Sequence, residues 1–140
     1  ANGEVGRIDQ FIFDDELVLV TEDETFYGRE KPIAYRSSGK CWVNNHAHVL
    51  RVKQPHSLVY IEYFLESLDY KLFMTGTAQP KLNKSICEKI SILVPDSLFQ
   101  HEVEQRLLAF EDSLHSQSNE IHNSHKLFAA LINQFAGIQI

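Results

Sequence analysis

The apolar positions change period along the chain, and each change marks a change of element. In the first half they come in short runs at strand spacing. Gln10–Phe13 and Leu17–Val20 flank the acidic stretch Asp14-Asp15-Glu16, which predicts two strands joined by a turn. Leu17–Val20 is too short for a helix and rich in β-formers, so a strand buried on both faces is expected there. Ser37-Ser38-Gly39-Lys40 is a turn signal between extended segments over Pro32–Arg36 and Cys41–Val52. From His46 the residues alternate, with His46, His48, Leu50 and Val52 on one face and Ala47, Val49 and Arg51 on the other.

Beyond Pro55 the period becomes helical. Leu58, Ile61, Leu65, Leu68 and Leu72 form one stripe, widened by Phe64, with Ser57 placed to cap it and Gly76 to end the element. Ser85-Ile86-Cys87-Glu88 has the form of a capping box and predicts a short helix before a strand over Ile90–Val94, which Pro95 stops. Ser97-Leu98-Phe99-Gln100 is a second such box.

After Ser97 no Pro or Gly occurs until Gly137. Val103, Leu107, Phe110, Leu114, Gln117, Ile121, Ser124, Phe128, Leu131 and Phe135 keep alternating steps of four and three, the seam of a coiled coil. Ser, Asn and His crowd its centre, so a break there would leave two short helices. The unbroken phase favours one continuous helix over about 98–136. At 1.5 Å per residue such a rod would extend ~58 Å, against a radius of gyration of ~14 Å for a compact domain of this size. Its apolar seam is expected to need a second helix, from another copy or from the rest of a larger subunit.

Composition narrows the functional classes. The 140 residues are 44% hydrophobic, which excludes a wholly disordered chain. No apolar run approaches the ~20 residues of a membrane-spanning helix, so no membrane partner is expected. Cys41 and Cys87 share no metal-ligand or disulfide-scaffold spacing, which fits a reducing cytoplasm. A net charge of −6 argues against a general nucleic-acid coat, but the charges are segregated. Acids dominate residues 1–24, where Glu4, Asp9, Asp14, Asp15, Glu16, Glu22, Asp23 and Glu24 face Arg7 alone. Bases dominate residues 25–60 (Arg29, Lys31, Arg36, Lys40, Arg51, Lys53) and 71–89 (Lys71, Lys81, Lys84, Lys89). A basic face built from two separate stretches could meet phosphates while the remainder stays acidic.

Candidate chemistry is sparse. His46 and His48 share a strand face, as in some metal sites, but a third ligand at useful spacing is lacking, and no metal is expected. Glu62 and Glu66, one helical turn apart, read as exposed charge rather than a catalytic pair. His115, His122 and His125 read as solvated. No nucleophile elbow, P-loop, zincin or dinucleotide fingerprint is present, so neither an enzyme nor a cofactor is expected. Two polar stretches remain, Asn44-Asn45-His46 and Gly76–Lys84. Amides suit adenine edges, and Lys and Arg suit guanine or phosphate; a purely structural loop fits Gly76–Lys84 equally well.

These stretches carry a resemblance. Cys41-Trp42-Val43-Asn44-Asn45-His46-Ala47-His48-Val49-Leu50, then Gly76-Thr77-Ala78-Gln79-Pro80-Lys81-Leu82-Asn83-Lys84, followed by Ile90–Pro95, Gln100 and a long helix closing on Leu131–Gly137, is similar to the specificity subunits of type I restriction–modification systems. The resemblance implies an α+β fold: a target-recognition domain over 1–96, its N-terminal portion missing, then a long spacer helix over 97–140. It implies a non-catalytic module that reads one half of a bipartite double-stranded DNA target. Through the helix, paired antiparallel with a second one, it would position adenine methyltransferase subunits and the restriction subunit. Residues expected at the DNA are Arg29, Lys31, Arg36, Lys40, Asn45, Gln79, Lys81 and Lys84, converging on one face. The chain departs from the family where paired prolines often stand, since Asp96-Ser97 follows Pro95, and it has one helix where a full member has two. An assembly scaffold without DNA contact, or a small metal-dependent enzyme using His46 and His48, are the alternatives.

Overall fold

A computed structural model of the chain describes residues 3–23, 31–73 and 81–117, together with Phe128, Ala130 and Leu131. Arg29, Gln79, Ile121, Ser124 and Phe135, and the side chain of Gln117, lie outside the described residues. The architecture is α+β. Three strands, β1 (Phe13–Thr21), β2 (Ala34–Cys41) and β3 (Ala47–Leu50), form an antiparallel sheet in the order β2-β1-β3. Helix α1 (Leu58–Ser67) leads into a 3-10 turn (Tyr70–Phe73), a single helical turn α2 (Lys84–Cys87) and the long α3 (Ser97–Gln117). No helix among the described residues is long and apolar enough to cross a membrane.

The central strand is buried on both faces, as its unbroken apolar run requires: Leu17, Val18, Leu19 and Val20 are all at most 5% exposed. Val18 and Val20 join the core beneath α1, where Tyr60, Tyr63, Leu65, Val103 and Leu107 also meet. On the opposite face Leu19, Tyr35 and Ala47 floor an open groove of about 850 Å³, walled by residues 3–8 and by Cys41–Asn44.

Two expected turns are strand instead. Asp14, Asp15 and Glu16 continue β1, paired with Lys40, Gly39 and Ser38 of β2, so the predicted turn Ser37–Lys40 is extended as well. The charges that argued for a turn are matched across the ladder, with Lys40 opposite Asp14 and Arg51 Nη2 3.0 Å from Asp15. Gly39 keeps a turn-like φ of +76° inside the strand, a conformation glycine adopts without strain. Conversely, Ile90–Val94 is not a strand. Ile90 and Ile92 pack against the core, and Leu93 O accepts the Tyr60 hydroxyl at 3.0 Å, so the run is held by side chains rather than by a ladder.

The starts of α1 and α3 were legible to within a residue. Ser57 Oγ accepts from Tyr60 N at 3.0 Å, the cap expected for α1. The helix stops at Ser67, short of Leu72, which is 80% exposed. At α3 the capping oxygen belongs to Asp96, not Ser97: Asp96 Oδ1 accepts from Leu98 N and Phe99 N, both at 3.0 Å. Gln100, the supposed box partner, turns inward, accepting from Ser57 N at 3.0 Å and donating to Pro95 O at 2.7 Å. The box at Ser85–Glu88 is not made either, since α2 begins after Asn83.

The continuous rod is corrected. Tyr63 donates to Glu111 Oε1 at 2.6 Å, and its ring lies 5.7 Å from that of Phe128, which also meets Tyr60 edge-on at 5.8 Å. A straight helix would hold residues 111 and 128 ~25 Å apart, beyond what side chains meeting on one tyrosine span. Val103, Leu107, Phe128 and Leu131 are all at most 9% exposed within this one chain. Four seam residues thus find their cover at home, while Phe110 and Leu114 stay half-buried. Burial of Phe128 on the Tyr60–Tyr63 shelf contributes roughly 2–3 kcal/mol, which a protruding rod would forgo.

Candidate nucleic-acid interface

The two polar stretches meet at the end of β1. Glu22 N donates to His46 O at 2.9 Å, and Glu22 O accepts from Leu82 N at 3.0 Å, so one main-chain segment is stitched to both. His48 Nε2 lies 2.6 Å from Leu82 O, which ties the stretches to each other directly. Side chains repeat the pattern: Asp23 Oδ1 stands 2.7 Å from Lys81 Nζ, and Asp23 Oδ2 pairs with His46 Nδ1. The Lys81 ammonium bonded to Asp23 holds that carboxyl below the usual carboxylate range, assisted by His46 and opposed by slight burial. Lys81 is raised in turn by the same bond.

Local geometry presents the neighbouring amide. Asn44 Oδ1 accepts from His46 N at 3.0 Å, a tight side-chain turn that leaves Asn45 exposed at its tip. Lys31 is exposed two residues before Ile33, whose carbonyl accepts from Thr21 N at 2.9 Å, so it emerges at this same end of the sheet. Lys84 is exposed too, 3.8 Å from Glu88 in a weak pair along α2.

Lys40 and Arg36 do not join them. Lys40 faces Asp14 at the other end of the nine-residue β1, with its ammonium 4.8 Å from the centre of the Phe11 ring. At ~3.3 Å per residue the stretch from Asp14 to Thr21 is about 23 Å. Arg36 lies beneath the sheet, its Nε 2.7 Å from Glu62 Oε2 and its Nη2 2.5 Å from Glu111 Oε1. That guanidinium links β2, α1 and α3 and is not presented to a phosphate. Two carboxylates share the one cation, and burial pushes Glu62 up to about 7. Glu66, expected to be exposed, is 2% exposed; its Oε2 accepts from Ile33 N at 2.8 Å and Ala34 N at 2.7 Å. The predicted basic face therefore divides, with Lys31, Asn45, Lys81 and Lys84 at one end of the sheet and Lys40 at the other.

The histidines act separately, His46 on Asp23 and His48 on the Leu82 carbonyl. Among the described residues no three potential ligands gather as a metal site would require. Asp23, the hub of the cluster, was missed, because residues 23, 46 and 81 share no spacing that a sequence displays.

The chain is thus an α+β module whose two polar stretches meet at one sheet end, with a long helix after them. Residues 1–123 match the family described as the type I restriction modification DNA specificity domain, and the chain belongs to that family. Within type I restriction–modification systems this family supplies DNA recognition rather than catalysis. A Haemophilus influenzae protein that bears the name of a type I restriction enzyme specificity subunit, S.HindORF215P, is 27% identical over 103 residues, covering 74% of this chain. The match spans 26% of that relative, about a quarter of its length. No solved structure matches the chain.

Proposed function

We propose that this chain is the DNA-reading portion of a type I specificity subunit, contacting one half of a bipartite target with the end of the sheet that carries Lys31, Asn45, Lys81 and Lys84. One observation carries the reading: the stretches Cys41–Leu50 and Lys81–Lys84 are bound to one another and to Asp23, which puts amide and ammonium groups on a common edge. Lysines fix the backbone by phosphate contact, and amides read base edges. Helix α3, anchored to the domain by Arg36, Tyr63 and Glu111, serves to position adenine methyltransferase and restriction subunits, with a second helix laid along its half-buried Phe110 and Leu114 edge.

Binding of the full chain to mixed-sequence duplex DNA, followed against salt, tests this. Each phosphate-contacting base adds about 0.9 to the slope of log K on log salt. Lys31→Glu and Lys84→Glu should each flatten it, whereas Lys40→Glu, at the far end of β1, should leave it unchanged. A slope that responds to Lys40 and ignores Lys31 and Lys84 would place the contact elsewhere.

A further inference from the structure

Lys81 stands at the proposed DNA edge, yet it is not free. Its ammonium is 2.7 Å from Asp23 Oδ1, and the other oxygen of the same carboxylate holds His46. All three side chains are partly solvent-exposed, so the pair is within reach of a competing anion. Asp23 is held in turn by main chain: its neighbour Glu22 is bonded on one side to His46 O and on the other to Leu82 N. The carboxylate therefore does two things at once. It fixes where the Lys81 ammonium and the His46 ring stand, and it cancels the charge of a base that would otherwise attract any phosphate.

We infer that Asp23 is a positioning and specificity-setting residue, holding Lys81 neutralised until a correctly placed phosphate takes the ammonium over. This rests on the DNA reading above. The physical reason is that sequence-independent attraction grows with every uncompensated base, whereas a paired lysine adds affinity only where the phosphate geometry outcompetes the carboxylate. An acid that did not mask Lys81 would leave the effect of Lys81→Gln on the salt slope the same whether the acid is present or removed.

The test is a double-mutant cycle on duplex binding by the full chain. Asp23→Asn unmasks Lys81 and should steepen the salt slope on mixed-sequence duplex by about 0.9, with tighter binding at low salt. Lys81→Gln should change the slope little in the wild-type background and by about 0.9 in the Asp23→Asn background. Equal effects of Lys81→Gln in both backgrounds, or a shallower slope in D23N with its circular dichroism intact, would overturn the inference. A check that needs no variant is the carboxyl-carbon resonance of Asp23, which should stay in place when mixed-sequence duplex is added, because the ammonium keeps its carboxylate partner. A resonance that moves at saturation, as the ammonium leaves, overturns the inference while leaving DNA binding in place. A chain that binds no duplex in any form removes the DNA reading and this inference with it.

Discussion

Phe128 lies 5.7 Å, ring centre to ring centre, from Tyr63, whose hydroxyl donates to Glu111 on α3. One tyrosine of α1 thus receives residues from two parts of the C-terminal segment. With Phe128 1% exposed among Tyr60 and Tyr63, its truncation to alanine leaves an aromatic-sized cavity. Phe128→Ala should destabilise the fold by about 3–5 kcal/mol, read as a lower urea midpoint. A residue on a solvated rod would give almost nothing, so a loss below about 0.5 kcal/mol would contradict the packing described.

The start of α3 separates two neighbouring residues with opposite sequence-based and structural roles. Asp96 Oδ1 caps Leu98 N and Phe99 N, while Ser97 lies inside the first turn. Asp96→Ala should cost about 1 kcal/mol, and Ser97→Ala should stay within about 0.5 kcal/mol. The reverse order in thermal denaturation would restore the serine cap.

What the sequence disclosed follows from how local each cause is. The buried run Leu17–Val20, the Ser57 cap and the start of a helix after Pro55 depend on neighbours a few positions away, and they stand as expected. The two false turns depended on residues that favour turns in isolation and were overruled by the β1–β2 ladder, whose partners are 14 to 28 positions apart. The same holds for the charges. Lys31 and Lys81 were identified by composition, but that Arg36 is consumed by Glu62 and Glu111, and Lys81 by Asp23, is a property of the tertiary fold alone. The heptad seam marked Val103 and Leu107 as apolar positions in need of cover, expected from a second helix; that the core of this same chain, with Tyr60 and Tyr63, covers them was not legible, because those residues lie on another element.

Glu66 gives a third expected outcome. Its carboxylate oxygen satisfies two main-chain donors where the chain enters β2. Glu66→Ala strands both N–H groups in the core at about 1–3 kcal/mol each, so a loss of several kcal/mol is expected in urea unfolding. Glu66→Gln retains an acceptor oxygen and should lose clearly less. Equal losses in the two variants would show that the negative charge, rather than acceptance from Ile33 and Ala34, is what matters.

The pH dependence of stability should carry two opposed carboxylate contributions. Asp23 is lowered by Lys81, so its share is present above the ordinary carboxylate range and is lost as pH falls through its depressed value in the folded chain. Glu62 behaves in the other sense. Burial raises it from 4.5 to about 7, so the folded chain binds this proton more tightly than the unfolded one. Its contribution is fullest below about 4.5 and is lost as pH rises through about 7. At ~1.4 kcal/mol per pKa unit the change amounts to a few kcal/mol. Glu62→Gln removes that ionisation while Glu111 still holds the Arg36 guanidinium. The variant should therefore gain stability relative to the wild type between pH 5 and pH 8, measured as the difference in urea midpoints across that window. A difference that stays constant from pH 5 to pH 8 would mean that Glu62 is ionised throughout, held by Arg36 against the cost of its burial.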